Sequence, residues 1–178
     1  LSCIEIDENA SDVQDQVAKL CFDLDVYIGK YFHRFLTGND KIEISINGKS
    51  VNSHDPFMRH INGYEEGPSD SLRSRSSKGK IYIYSHILPR FNQMTKEQIE
   101  AYGGNQNITQ KQGLYIYRNK RLIVEGGWLG LAPKKEGSNL ARIQIDVPSE
   151  MDDEWNIDLK KSELKLPSRI RRRLEKNI

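Results

Sequence analysis

The chain has little cysteine and no long apolar run, and each shortage closes a route. Its 178 residues hold two cysteines, Cys3 and Cys21, without Cys-x-x-Cys spacing, which argues against a disulfide framework or a cysteine-based zinc site. A reducing, cytoplasmic setting is expected. No stretch approaches the roughly 18 consecutive apolar residues that a spanning helix requires, and the opening residues do not read as a basic-then-apolar leader, so no membrane partner is expected. Excess charge is also lacking: 27 Lys and Arg stand against 25 Asp and Glu, so any anionic partner must be met by a local cluster. With four scattered histidines and no His/Asp/Ser or Cys/His constellation, a stand-alone enzyme is the least favoured of three function classes.

What is present reads as alternating helix and strand signals. Ser11 is a candidate N-cap before Val13, Val17, Leu20, Cys21, Leu24, Ile28, Tyr31, Phe32 and Phe35, whose spacing of three and four predicts a long amphipathic helix. Asp12 and Asp15 in its first turn and Lys30 and Arg34 near its end suit the macrodipole, and Gly38 stops it. His33 reads as a boundary residue between the apolar and polar faces. Ile42, Ile44 and Ile46 alternate with polar residues before Asn47-Gly48, a hairpin signal, and Asp55-Pro56 marks a turn. His54 beside Asp55 suggests an acid/base pair, but neighbours at a turn seldom face one target.

Residues 63–80 are rich in Glu, Gly, Pro, Ser and Arg without apolar period and read as a solvated surface loop. Arg73, Arg75, Lys78 and Lys80 stand in it without interleaved aromatics. Tyr82 and its neighbours form a strand, Thr95 caps one short helix that Gly103-Gly104 ends, and residues 105–112 read as a polar connection. Residues 113–123 give a second hairpin around Asn119-Lys120. Gly126, Gly127 and Gly130 surround Trp128 without Walker spacing, and Ala141 to Val147 alternate as a strand. The carboxylates of Glu150, Asp152, Asp153 and Glu154 lack calcium-loop periodicity and read as an acidic turn. The last helix, from Pro167, places Ile170 and Leu174 on one stripe among Arg169, Arg171, Arg172 and Arg173.

Between these elements lies Trp155-Asn156-Ile157-Asp158-Leu159-Lys160-Lys161-Ser162-Glu163-Leu164-Lys165-Leu166-Pro167, a strand-like alternation carrying a doubled lysine. An ammonium on a flexible stem is a compact point charge that can follow a polyphosphate and neutralise charge as it builds up. Asp158-Leu159 followed by Lys161-x-Glu163-Leu164-Lys165 is similar to a segment near the end of the second domain in GHKL ATPases of the MutL and MORC type. Phe32-His33-Arg34-Phe35, Ile44-Ser45-Ile46-Asn47-Gly48-Lys49, Asp55-Pro56-Phe57 and the hairpin from Gly113 to Ile123 resemble bacterial members in the same order.

The resemblance covers nearly the whole chain and implies an α+β fold, a mixed sheet of the strands near residues 42, 81, 114, 122, 142 and 157 backed by the long helix and the C-terminal helix. It assigns residues 1–10 to the last strand of an upstream ATP-binding domain and residues 11–178 to a transducer-like domain. The opening on Leu1 rather than Met fits that expectation of a fragment. By resemblance, Lys161 or Lys160 reaches the ATP γ-phosphate held by the neighbouring domain. The family has His-Pro where this chain has Leu159-Lys160, so both lysines stay eligible.

The implied function is to couple ATP binding and hydrolysis to conformational change in a protein related to DNA mismatch repair MutL. The parent would be an ATPase using Mg-ATP, with the upstream domain as partner and an ATP-dependent homodimer as assembly. The helix asparagine, aspartate-glycine pocket and glycine-rich lid that bind Mg-ATP in the family do not occur here, so the fragment alone is expected to hold no cofactor and to be inactive. The rival reading is a nucleic-acid or protein binding module that uses Arg169, Arg171, Arg172 and Arg173.

Overall fold

A computed structural model describes residues 13–73, 79–151 and 166–175 of the chain, which forms two compact units, Leu1–Asp55 and Pro56–Ile178. The boundary falls at the Asp-Pro turn. Helical spacing in the first unit yields α1, Val13–Tyr31, with Asp15 and Lys30 at the ends that suit its dipole. A 3₁₀ turn, His33–Phe35, follows it, and Gly38 takes a left-handed φ of 87°. Two two-residue strands, β1 (Ser45–Ile46) and β2 (Lys49–Ser50), form the first hairpin. Its turn residues Asn47 and Gly48 have φ of 51° and 78°, the paired positive values a type I′ turn requires.

Asn47 donates its side-chain amide to the Cys21 sulfur at 3.3 Å, and the His54 amide donates to the Gly29 carbonyl at 2.8 Å. A Cβ on Gly29 would sit 2.5 Å from the Asn52 carbonyl oxygen, so only glycine admits this close approach. These contacts reach the later turns of the helix, where Ile28, Tyr31, Phe32 and Phe35 are partly buried. Val13, Val17 and Leu24, expected on the same buried stripe, are instead exposed. His33, expected at a boundary, is buried, and its carbonyl accepts hydrogen bonds from the Thr37 and Ser53 hydroxyls.

The second unit is built on a mixed five-stranded sheet, which bears out the α+β class. Its strands are β3 (Glu65–Arg73), β4 (Lys80–Ile87), β5 (Gly113–Arg118), β6 (Arg121–Glu125) and β7 (Ala141–Val147), in spatial order β3-β4-β7-β5-β6. All neighbours are antiparallel except β5 and β7, which run parallel. Three expectations are corrected here. The first hairpin forms its own two-stranded sheet rather than joining this one. Residues 65–73, read as part of a loop, are the edge strand β3, because β4 offers an open row of backbone groups that any extended segment can pair with. Most of residues 105–112, read as a connection, belongs to a second short helix: after α2 (Lys96–Ala101), left-handed Gly103 and Gly104 re-aim the chain into α3 (Gly104–Gln110).

The Thr95 cap expected before α2 is present and is a full capping box, with Thr95 and Gln98 bonded reciprocally at 2.9 and 3.2 Å. The second hairpin turns on Asn119 and Lys120, again with two positive φ values. At the start of β5 a Cβ on Gly113 would meet the Gly127 carbonyl at 2.4 Å, so the glycine loop can cross there only over another glycine.

Alternation along these strands divides the sheet into two faces. One carries Ile81 and Ile83 of β4, Leu114 and Ile116 of β5, and Ile143, Ile145 and Val147 of β7. The C-terminal helix α4 (Ser168–Leu174) closes it with Ile170 and Leu174, alongside Trp128 and Met151. Each such fully buried aliphatic chain contributes about 1.5–3 kcal/mol. A smaller cluster of Met58, Ile61, Leu88, Met94 and Ile108 packs α2 and α3 to the rest of the unit.

Candidate functional site

Lys160 and Lys161, the residues the resemblance assigns to the nucleotide, lie outside the described residues, as do the carboxylates from Asp152 to Glu154. What flanks them is clear. Met151, the described residue before them, is 1% exposed in the apolar core, and Leu166, the described residue after them, packs against that same core. Met151 and Leu166 therefore lie on the same face of the sheet.

The four arginines follow that segment on α4, and the helix faces explain their different fates. With Ile170 and Leu174 turned into the core, the intervening cations emerge around the rim. Arg169 donates to the Arg73 carbonyl at 2.7 Å, and Arg171 donates to the Gly130 carbonyl at 2.8 Å and to Glu175 at 3.2 Å. Arg173 grips Asp70 with two bonds, of 2.5 and 3.2 Å. That hydrogen bonding, above all, holds the Asp70 carboxyl below its ordinary value. Arg172 is exposed and has no partner among the described residues. Three of the four cations thus pin α4 to β3 and to the glycine loop.

The sheet's second face is polar and aromatic, and the sequence reading missed its buried part. Arg142, Gln144 and Asp146 of β7 share it with His86 of β4 and Tyr115 and Tyr117 of β5, as their register requires. Phe57 lies over this half, with ring centroids 4.2 Å from His86 and 5.3 Å from Tyr115. The Arg59 guanidinium covers Phe57 at 4.6 Å and donates to the Gln144 side chain at 2.6 Å, while Gln144 donates to Asp146 at 3.1 Å. Tyr64 and His86 meet through Oη and Nδ1 at 2.6 Å.

Arg142 is 2% exposed and is held by carbonyl oxygens, those of Asn139 at 3.2 Å, Ala141 at 3.0 Å and Ile108 in the last turn of α3. A cation suits the carbonyl end of a helix. Burial lowers the Arg142 pKa from its ordinary value and pushes the Tyr115 phenol up to about 12, with Arg142 opposing that rise. Tyr115 consequently stays a neutral donor, and its hydroxyl bonds the Lys111 carbonyl at 2.9 Å. Lys111 in turn pairs with Glu125 at 3.0 Å. The available signal was the Arg-x-Gln-x-Asp alternation facing two tyrosines, which reads as solvated until Phe57 is placed over it.

Among the described residues no group of three His, Cys, Asp or Glu side chains is arranged to hold a metal ion, and no helix is long and apolar enough to cross a membrane. No family model matches the chain, and no curated protein matches it.

Proposed function

We propose that this chain is the transducer-like domain of a GHKL-type ATPase related to MutL. Its role is to couple ATP binding and hydrolysis in an upstream domain to conformational change. The observation that carries the reading is that Met151 and Leu166, the described residues on either side of the lysine pair in sequence, pack into the same apolar core. A lysine whose chain neighbours on both sides belong to one folded core can be presented to a neighbouring domain and withdrawn as the joint between them moves. The mixed α+β sheet, with its C-terminal helix on the same face, is in keeping with that role. Mg-ATP binding by the parent and an ATP-dependent homodimer belong to the same proposal. The rival use of Arg169, Arg171 and Arg173 for nucleic acid is less favoured, because each already bonds within the chain.

In the protein carrying its ATP-binding domain, Lys161→Ala is expected to lower ATP turnover at least about tenfold while leaving nucleotide affinity nearly unchanged. A charge supplied across a domain joint helps most as the γ-phosphoryl group departs. Lys160→Ala is the companion variant. An effect of Lys160 alone moves the assignment by one position, and no effect of either substitution on single-turnover hydrolysis ends the coupling proposal.

A further inference from the structure

The apolar stripe expected along α1 divides in two. The first hairpin takes the flank that carries Cys21 and Gly29, through the Asn47 amide on the Cys21 sulfur and the close approach of the Asn52 carbonyl to Gly29. A second row, Val13, Val17, Leu20, Leu24, Tyr27 and Tyr31, recurs at alternating steps of four and three and runs the length of the helix. That spacing is the a/d repeat of a coiled-coil seam, here about 27 Å long at the helical rise. Val13, Val17, Leu24 and Tyr27 are between 37% and 42% exposed, and Leu20 and Tyr31 are partly buried. No polar residue interrupts the row.

Size along the row decides what fits it. From the start of the helix it reads Val, Val, Leu, Leu, Tyr, Tyr, small to large. A second α1 laid parallel would stack valine on valine and tyrosine on tyrosine, leaving a void at one end and a collision at the other. Turned end for end, the row meets itself with Val13 opposite Tyr31, Val17 opposite Tyr27 and Leu20 opposite Leu24, each a position facing a d position. Every layer then has a similar volume, and the tyrosine hydroxyls at the rim stay in water.

We propose that α1 is a self-docking surface on which two copies of this chain pair as an antiparallel coiled coil, about a two-fold axis between Leu20 and Leu24. The contact needs no nucleotide, which separates it from the ATP-dependent homodimer of the coupling reading. Because the helix is already formed and tied to its hairpin, pairing carries no cost of forming it. One charge opposes it: Asp23 flanks the seam and meets its own copy across the axis, whereas a parallel pair would set Asp23 beside Ile28.

The test is sedimentation equilibrium of the whole chain, reduced and without nucleotide, from about 1 to about 500 µM. The expected result is a dimer with a dissociation constant of roughly 1–100 µM, in keeping with a small interface between preformed helices. Val17→Glu and Leu24→Glu, at positions open in the single chain, are each expected to weaken it at least about tenfold with unchanged circular dichroism. Phe22→Ser, at the most exposed apolar residue of α1 but on the opposite side of the helix from the seam, is expected to leave it within about twofold. Asp23→Asn is expected to tighten it about twofold at low salt. A monomer throughout the range overturns the proposal. So does a dimer that both glutamate variants leave intact, or one that Phe22→Ser disrupts as strongly as they do. A dimer that Asp23→Asn fails to tighten overturns the antiparallel pairing.

Discussion

The two faces of the five-stranded sheet are written into the same strands, one residue apart, yet they solve different problems. On β7, Ile143, Ile145 and Val147 meet α4 and make an apolar core, while Arg142, Gln144 and Asp146 carry a network of hydrogen bonds on the reverse side. The apolar face is non-directional, so its stability scales with the area it hides. The polar face depends on each donor finding its acceptor, and an orphaned group there costs more than a lost contact. Strand alternation therefore does not mean one face inside and one in water. Here both are buried at the β5–β7 centre, and exposure returns only toward β3.

Three substitutions sharpen or break this contrast. Ile145 is fully buried at the centre of the apolar face, and Ile145→Asp is expected to place an unpaired carboxylate there. The loss should exceed about 4 kcal/mol, enough to abolish the cooperative urea transition of the second unit. A folded variant would mean that α4 does not seal this face. On the polar side, Arg142→Met leaves the carbonyls of Ile108, Asn139 and Ala141 without their guanidinium and should lower stability by about 3 kcal/mol. Stability equal to the parent in denaturant titration would show that water replaces the cation readily and that the polar network is not specific.

The smallest effect belongs to the Asp70–Arg173 pair at the sheet's edge, whose side chains are 24% and 48% exposed. The Asp70 pKa in the folded chain lies below its ordinary 3.8, so the carboxylate binds fewer protons folded than unfolded near that pH. Its stabilisation is present above that value and is lost as pH falls through the lower folded one. Asp70→Asn should leave the melting temperature nearly unchanged at neutral pH and flatten its fall in acid. An identical acid profile in parent and variant would show that the ion pair is not maintained in solution.

The elements that were legible in the sequence are those whose signal is local. The alternation of β7, the Asn-Gly and Asn-Lys turns, the Thr95 cap and the Ile170/Leu174 stripe each state their structure within a few residues. β3 was not legible because Glu65 to Arg73 has almost no strand propensity of its own; the unpaired edge of β4 orders it, with Leu72 and Asp70 held from the apolar side. α3 was hidden by two glycines that end one helix yet also begin the next. The buried half of the polar face was hidden because Phe57, which lies over it, is remote in sequence from β5 and β7. Tyr82 was visible as a strand residue, but its exposure goes with the small Ser71 lying opposite. The lysine pair at 160 and 161 falls on residues the structure does not describe.

The place of β7 sets the order in which this sheet can be assembled. It is the last strand among the described residues and the middle one in the sheet, bonded to β4 on one side and to β5 on the other. The pairs β3–β4 and β5–β6 are close in sequence and can form as independent hairpins, whereas β7 must close across the long intervening chain, the slow kind of contact. During synthesis, therefore, two ribbons stand with facing edges open until residue 147 has left the ribosome. Only then does a single strand join them, and in that moment it creates both the apolar core and the polar network.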